Sequence, residues 1–268
     1  MNNPMKKKYF HPFHLVDASP WPIVSSLAIL ALVLSSVLIM QGTEYATFLF
    51  VGSILSVLGS LLFWFKDIVY EGSYEGYHTN KVVKGLYIGM LLFIISEVFF
   101  FFSIFWAYFH STFSPSVEIG DQWPPRGFEV INPWGLPLLN TVILLSSGST
   151  VTYAHHSLIS GNRRGALIGM FLTIVLALVF TTIQGMEYFE SSFTISDGIY
   201  GSCFYFGTGF HGFHVLIGTI FLIIGLYRIW NYHLTTDHYF GLEAGILYWH
   251  FVDVVWLFLF MAVYWWGS

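Results

Sequence analysis

One cysteine, Cys203, occurs in 268 residues. A disulfide framework is thereby excluded, and so is any zinc or iron–sulfur site built from cysteines. Charge is almost as scarce: ten basic and fifteen acidic side chains make 9% of the chain, against about 25% in an average soluble domain. With 56% hydrophobic and 20% aromatic residues, a soluble globule could not hide its apolar surface behind so few charges. A soluble globular enzyme is excluded, and so is intrinsic disorder, which needs low hydrophobicity and high charge. The formal net charge of -5 is no nucleic-acid footprint. No phosphate loop, zinc-protease helix or nucleophile elbow occurs, so no catalytic residue and no metal site is expected in this chain. Residues 1–22 lack the apolar core and cleavage site of a signal peptide and the Arg/Ser-rich pattern of a transit peptide. The expectation is a protein that is bacterial or is made inside the compartment where it works.

What is present is long apolar runs, far longer than the weakly alternating strands of a membrane barrel. A spanning helix needs about 20 mostly apolar residues, and seven stretches qualify: 21–41, 46–65, 85–108, 136–154, 166–188, 200–227 and 242–266. The fold class is therefore all-α and polytopic, with seven transmembrane helices. Seven spans sort the basic residues cleanly. Lys6, Lys7, Lys8, Lys66, Lys81, Lys84, Arg163, Arg164 and Arg228 fall on the side of the N-terminus, and only Arg126 falls opposite. By the positive-inside rule the N-terminal side is cytoplasm or matrix, with the C-terminus across the membrane. A short link joins the first two spans, and a polar stretch, 66–84, separates them from the other five. The reading is two units, 1–72 with the N-terminal arm and a two-helix bundle, and 73–268 with an interfacial segment and a five-helix bundle. No inverted repeat is evident, which weighs against a secondary transporter.

Ionisable residues inside spans mark function or structure. Glu97 lies near the midpoint of the third span, in Ile94-Ile95-Ser96-Glu97-Val98-Phe99-Phe100-Phe101-Phe102. Its neighbours on the same helix face, Met90, Phe93, Phe101 and Tyr108, cannot neutralise a carboxylate, so a protonated carboxyl is expected. It is either a proton-linked reactive acid or a neutral group hydrogen-bonded to a neighbouring helix. The sixth span carries His211 and His214, and the seventh carries His250 and Asp253, each pair three residues apart and so on one helix face. His214 and Asp253 would lie at similar depth on antiparallel helices. These four residues read either as a haem or metal site or as an intramembrane polar network that fixes packing. Crowding by aromatic residues favours the network. In the stretch after the second span, Trp64, Lys66, Asp67, Glu71, Glu75, His78, Lys81 and Lys84 suit either a solvated loop, slightly preferred, or phospholipid head groups.

Several strings in this chain resemble the subunit III family of the haem–copper oxidases, in its mitochondrial cytochrome c oxidase form. They are Ser19-Pro20-Trp21-Pro22, the run around Glu97, Trp123-Pro124-Pro125, Ala154-His155-His156-Ser157-Leu158 and Phe193-Thr194-Ile195-Ser196-Asp197-Gly198. With them go Gly209-Phe210-His211-Gly212-Phe213-His214-Val215, Tyr248-Trp249-His250-Phe251-Val252-Asp253-Val254-Val255-Trp256 and the ending Tyr264-Trp265-Trp266-Gly267-Ser268. The resemblance runs over essentially the whole chain. It implies a two-helix and a five-helix bundle separated by a V-shaped, phospholipid-binding cleft. Glu97 would match the family's buried, carbodiimide-reactive acid near the proton-uptake side. Trp64, Glu71, His78 and Arg228 match lipid-binding positions, and His233, one turn beyond Arg228, is a weaker one. Where animal sequences have Trp-Trp-Arg-Asp, this chain has Trp64-Phe65-Lys66-Asp67. A lysine does not grip phosphate bidentately as arginine does, so that contact is not carried over. A family His-His pair is Tyr77-His78 here.

The resemblance also implies the role. The complex oxidises cytochrome c, reduces oxygen to water and pumps protons. This chain would be its non-redox core subunit, with haem a, haem a3 and copper in the partner subunits and only phospholipids bound to itself. It would pack mainly on subunit I, with subunit II and accessory subunits nearby. It would sit in the mitochondrial inner membrane, N-terminus to the matrix and C-terminus to the intermembrane space, and membership of a respiratory supercomplex is compatible with it. There it would support proton uptake, oxygen access and catalytic stability. The competing reading is an independent proton-linked channel or secondary transporter, built on Glu97 and the His/Asp network.

Overall fold

A computed structural model describes residues 11–236 and 238–267. Among these residues seven α-helices follow one another: α1 Trp21–Met40, α2 Ala46–Ser73, α3 Asn80–Phe113, α4 Leu136–Ile159, α5 Arg163–Glu190, α6 Gly198–Trp230 and α7 Phe240–Leu259. A 3-10 turn, Val117–Ile119, lies in the α3–α4 loop, and α7 continues as a π-helical stretch, Phe260–Trp265. Among the described residues there is no strand. The all-helical class and the number of helices agree with the sequence reading. Six helices are long and apolar enough to cross a membrane: α1, α2, α3, α5, α6 and α7 with its extension. The remaining one, α4, has 24 residues, which is spanning length. Its middle is Ser146-Ser147-Gly148-Ser149-Thr150, however, and this lowers its apolarity.

The helices outrun the apolar runs that mark them. α2 continues to Ser73, so Lys66, Asp67 and Glu71 stand on a helix, and the solvated loop expected at 66–84 shrinks to the stretch 74–79. No Gly or Pro interrupts Phe63–Glu71 to stop the helix, and its polar residues need only leave the hydrocarbon, not the helix. α3 likewise begins at Asn80 and ends at Phe113.

The chain divides into two compact units, the first ending at Leu86 and the second beginning at Tyr87, inside α3. This lies later than the 72/73 boundary read from the sequence. The segment 11–20 ties the start of α3 to the first unit: Thr79 Oγ1 donates to the Pro12 carbonyl at 2.5 Å, His14 stacks on Tyr77 with ring centroids 4.7 Å apart, and Lys81 Nζ lies 5.7 Å over the Phe13 ring.

Within the first unit α1 packs on α2 along a seam of small residues. The buried positions are Ser25, Ala28 and Ser35 on α1 and Ala46, Ser53, Ser60 and Gly72 on α2. Ala46, Ser53 and Ser60 recur every seven residues, the period of a left-handed pair. Small side chains let the backbones approach, and hydroxyls meet across the seam, Ser25 with Ser60 and Ser35 with Ser53, each at 3.1 Å. Large apolar side chains such as Leu27, Leu30, Phe48 and Leu62 are exposed on the outside, as a lipid-facing surface requires.

In the second unit α4, α5, α6 and α7 form a closed ring, each packed on the next and α7 back on α4. Trp249 and Trp256 of α7 are fully buried in it, and their indole N–H groups donate to Ser147 Oγ at 2.9 Å and Thr141 Oγ1 at 3.0 Å on α4. Gly169 permits the α4–α5 contact: a β-carbon there would stand 2.9 Å from the Thr150 carbonyl oxygen. α3 meets α6 and α7 through long aromatic side chains, with Phe100 4.8 Å from Phe210 and Phe101 6.1 Å from Phe251 between ring centroids. Arg163, at the start of α5, donates to the last carbonyls of α6, from Nε to Ile229 at 3.1 Å and from Nη2 to Trp230 at 2.6 Å.

Candidate functional site

Glu97 sits at the middle of α3 and His214 at the middle of α6. The carboxyl meets the ring: Glu97 Oε2 lies 2.9 Å from His214 Nε2. Glu97 is not sealed in, its side chain being 23% exposed against 7% for His214. The other ring nitrogen, Nδ1, lies 2.7 Å from the Phe210 carbonyl oxygen, four residues back on α6. A carbonyl oxygen only accepts, so Nδ1 carries a hydrogen. Nε2 then either accepts from a carboxylic acid or donates to a carboxylate. Both arrangements have one proton between Glu97 and His214 and no net charge. Aromatic rings surround the pair: Phe101 is edge-on to His214 at 5.1 Å, and Tyr248 and Phe251 each lie 6.1 Å from it.

The four residues read as one intramembrane network stand in three places. His214 turns to Glu97. His211, buried between Phe180 and Trp256, donates from Nε2 to the Val252 carbonyl at 3.2 Å. His250 and Asp253 face α4, where His250 Nε2 lies 3.4 Å from Thr152 Oγ1. His214 meets Glu97 of α3, whereas Asp253 lies against Gly148 of α4. Among the described residues no group of three His, Cys, Asp or Glu side chains could hold a metal ion.

The lipid-binding candidates fall in both units. In the first, Trp64 is half-buried on α2, Glu71 Oε2 lies 3.8 Å from His14 Nε2, and the His78 ring lies 6.0 Å from that of His14. His78 presses on Gly72, where a β-carbon would stand 2.6 Å from its Nδ1. In the second unit Arg228 lies over the start of α7, so close that a β-carbon on Gly241 would stand 2.8 Å from its Nη1. His233 is edge-on to Tyr227 at 6.4 Å.

A further buried acid escaped the sequence reading. Glu187, 3% exposed on α5, accepts from Tyr264 Oη at 2.5 Å and from Gln184 Nε2 at 3.2 Å through Oε1. Asn140 Nδ2 donates in turn to Gln184 Oε1 at 3.5 Å. The visible signal was Gln184 and Glu187 three apart near the end of an apolar run. An apolar groove of about 590 Å3 lies between α3 and α7, lined by Val98, Phe102, Phe105, Val254 and Phe258 among others.

The family model for cytochrome c oxidase subunit III matches residues 11–268. Among similar proteins, cytochrome c oxidase subunit 3 of Emericella nidulans is 62% identical over 257 residues, covering 96% of each chain. That of Podospora anserina is 61% identical over 258 residues, again 96% of each. That of Pyricularia grisea is 58% identical over 269 residues, the whole of both. A match over nearly the full length settles the assignment: the chain belongs to the cytochrome c oxidase subunit III family.

Proposed function

We propose that this chain is a non-redox core subunit of a cytochrome c oxidase, an oxidoreductase complex of the respiratory chain in the mitochondrial inner membrane. It packs chiefly on subunit I beside subunit II and accessory subunits, and haem a, haem a3 and copper reside in those partners. The single observation that carries the supporting role is the Glu97–His214 pair, 2.9 Å apart with each residue at the middle of its helix. A carboxyl and an imidazole that share one proton can exchange it without leaving a net charge in the hydrocarbon, where an isolated charge is costly. This suits a subunit that supports proton uptake by its neighbour rather than one that reduces oxygen. Phospholipid head groups are held at Trp64, Glu71 and His78 in the first unit and at Arg228 and His233 in the second. The sorting of Lys and Arg supports a matrix-side N-terminus and a C-terminus on the intermembrane-space side.

The test is the oxidase with and without this chain. Removal is expected to leave the haem and copper spectra unchanged while slowing proton uptake and shortening catalytic lifetime. Unchanged uptake and lifetime would rule the supporting role out.

A further inference from the structure

A groove of about 500 Å3 runs between α5 and α6 on the half of the second unit where α5 begins and α6 ends. On α5 its wall is Leu167, Ile168, Phe171 and Leu172. Arg164 stands three residues before Leu167 and four before Ile168, so it shares their helix face and closes the groove at its outer end. On α6 Ile223 and Leu226 lie deeper, and Tyr227 and Trp230 lie near the helix end. Both aromatic rings are exposed, by 63% and 66%, at the level where an aromatic belt meets the head groups. Arg164 is exposed and makes no hydrogen bond or ion pair within the described chain. Its neighbour Arg163 is engaged by the Ile229 and Trp230 carbonyls and lies 3.7 Å over the Tyr232 ring. No Asp or Glu occurs in 151–186 or 198–236, so neither helix offers a carboxylate to Arg164 at this end.

An occupant of this groove must be apolar along its length and anionic at one end. Membrane helices approach one another over small residues, whereas the side chains here are large, so a partner helix finds no seam to enter. Ile223 to Trp230 spans about 10 Å along α6 at 1.5 Å per residue, within the ~15 Å depth of one leaflet. Basic pockets between helices on the Lys- and Arg-rich face attract anionic head groups, and a guanidinium grips a phosphate through two hydrogen bonds. We propose that the α5–α6 groove is a site for an anionic phospholipid of that leaflet, with one acyl chain between Phe171 and Ile223 and the phosphate on Arg164. The site is separate from Arg228, which lies over the start of α7. It belongs to this chain's own membrane surface and does not depend on the supporting role proposed above.

Photolabelling of the purified complex that contains this chain tests the proposal. The complex is reconstituted in phosphatidylcholine vesicles with a trace of phospholipid carrying a diazirine on its acyl chain. The probe is phosphatidylglycerol in one set and phosphatidylcholine in the other, and adducts are mapped by mass spectrometry. Leu178 and Phe213, exposed apolar positions deeper on the same two helices, serve as internal comparison. Phe171 and Ile223 are expected to take about fivefold more label from phosphatidylglycerol, the preference that one arginine gives at a membrane surface. Leu178 and Phe213 should be labelled equally by both probes. Arg164→Gln breaks no contact within the described chain and should make the two probes label Phe171 and Ile223 equally. Equal labelling already in the wild type would overturn the proposal, because the groove would then be ordinary lipid contact. A preference that survives Arg164→Gln would overturn it as well. Absence of label at Phe171 and Ile223 with both probes would mean that another protein covers the groove, and that too would overturn it.

Discussion

Glu97 and His214 join α3 to α6 through one carboxyl–imidazole contact at 2.9 Å, with Phe101, Tyr248 and Phe251 around the ring. Glu97→Gln should keep that contact, because an amide N–H can donate to Nε2, and the oxidase should melt close to the wild-type temperature. His214→Ala should instead leave the carboxyl without its partner, at a cost of about 2 kcal/mol. Glu97 itself stood out in the sequence, because a single acid in a run of phenylalanines needs a partner that its own helix face does not offer. Its partner was not, because helical periodicity ranks neighbours on the same helix and says nothing of the next one. The one available clue was depth: Glu97 and His214 each stand at the middle of their helices. Depth also suggested His214 beside Asp253, but His214 meets α3 and Asp253 lies against α4.

At the scale of the helix pair, α1 and α2 are held by a seam of small residues rather than by a core of large ones. The hydroxyl pairs Ser25–Ser60 and Ser35–Ser53 lie where bulk is least tolerated. Ser53→Leu is expected to force the helices apart at a cost of about 2 kcal/mol, the penalty for overpacking. Leu55→Ala, on the exposed side, should leave the pair intact. A cysteine cross-link engineered between the two helices would report the difference as a lost or retained yield. The existence of these helices was plain from their apolar runs, since length and hydropathy read the hydrocarbon thickness directly. Their ends were not. α2 carries Lys66, Asp67 and Glu71 on the same helix as its apolar part, because leaving the bilayer ends apolarity without ending the backbone hydrogen bonds. α4 shows the converse: its serines and threonines lower its apolarity while its side chains are taken up by Trp249 and Trp256, a use of polarity that hydropathy averages away.

Over the whole molecule the two units differ in what stabilises them. The first, ending at Leu86, has among its described residues only Ala28 and Ala46 as buried apolar ones and relies on close backbone approach and on the lipid around it. The second buries Phe101, Phe180, Phe204, Tyr248, Trp249, Trp256 and Tyr264 in one continuous cluster. Large buried side chains forfeit many dispersion contacts when a structure opens, whereas a seam of serines and alanines forfeits few. Local opening should therefore begin in the first unit and reach the second last. When the purified chain is warmed in detergent, peptides containing Ser25 or Ser60 should gain deuterium at lower temperature than those containing Trp249 or Trp256. Added phospholipid should narrow that interval by stabilising the first unit, whose exposed leucines and phenylalanines it covers. Exchange of all four peptides in a single coincident transition would mean that the units unfold as one, and that the Leu86–Tyr87 division carries no difference in stability.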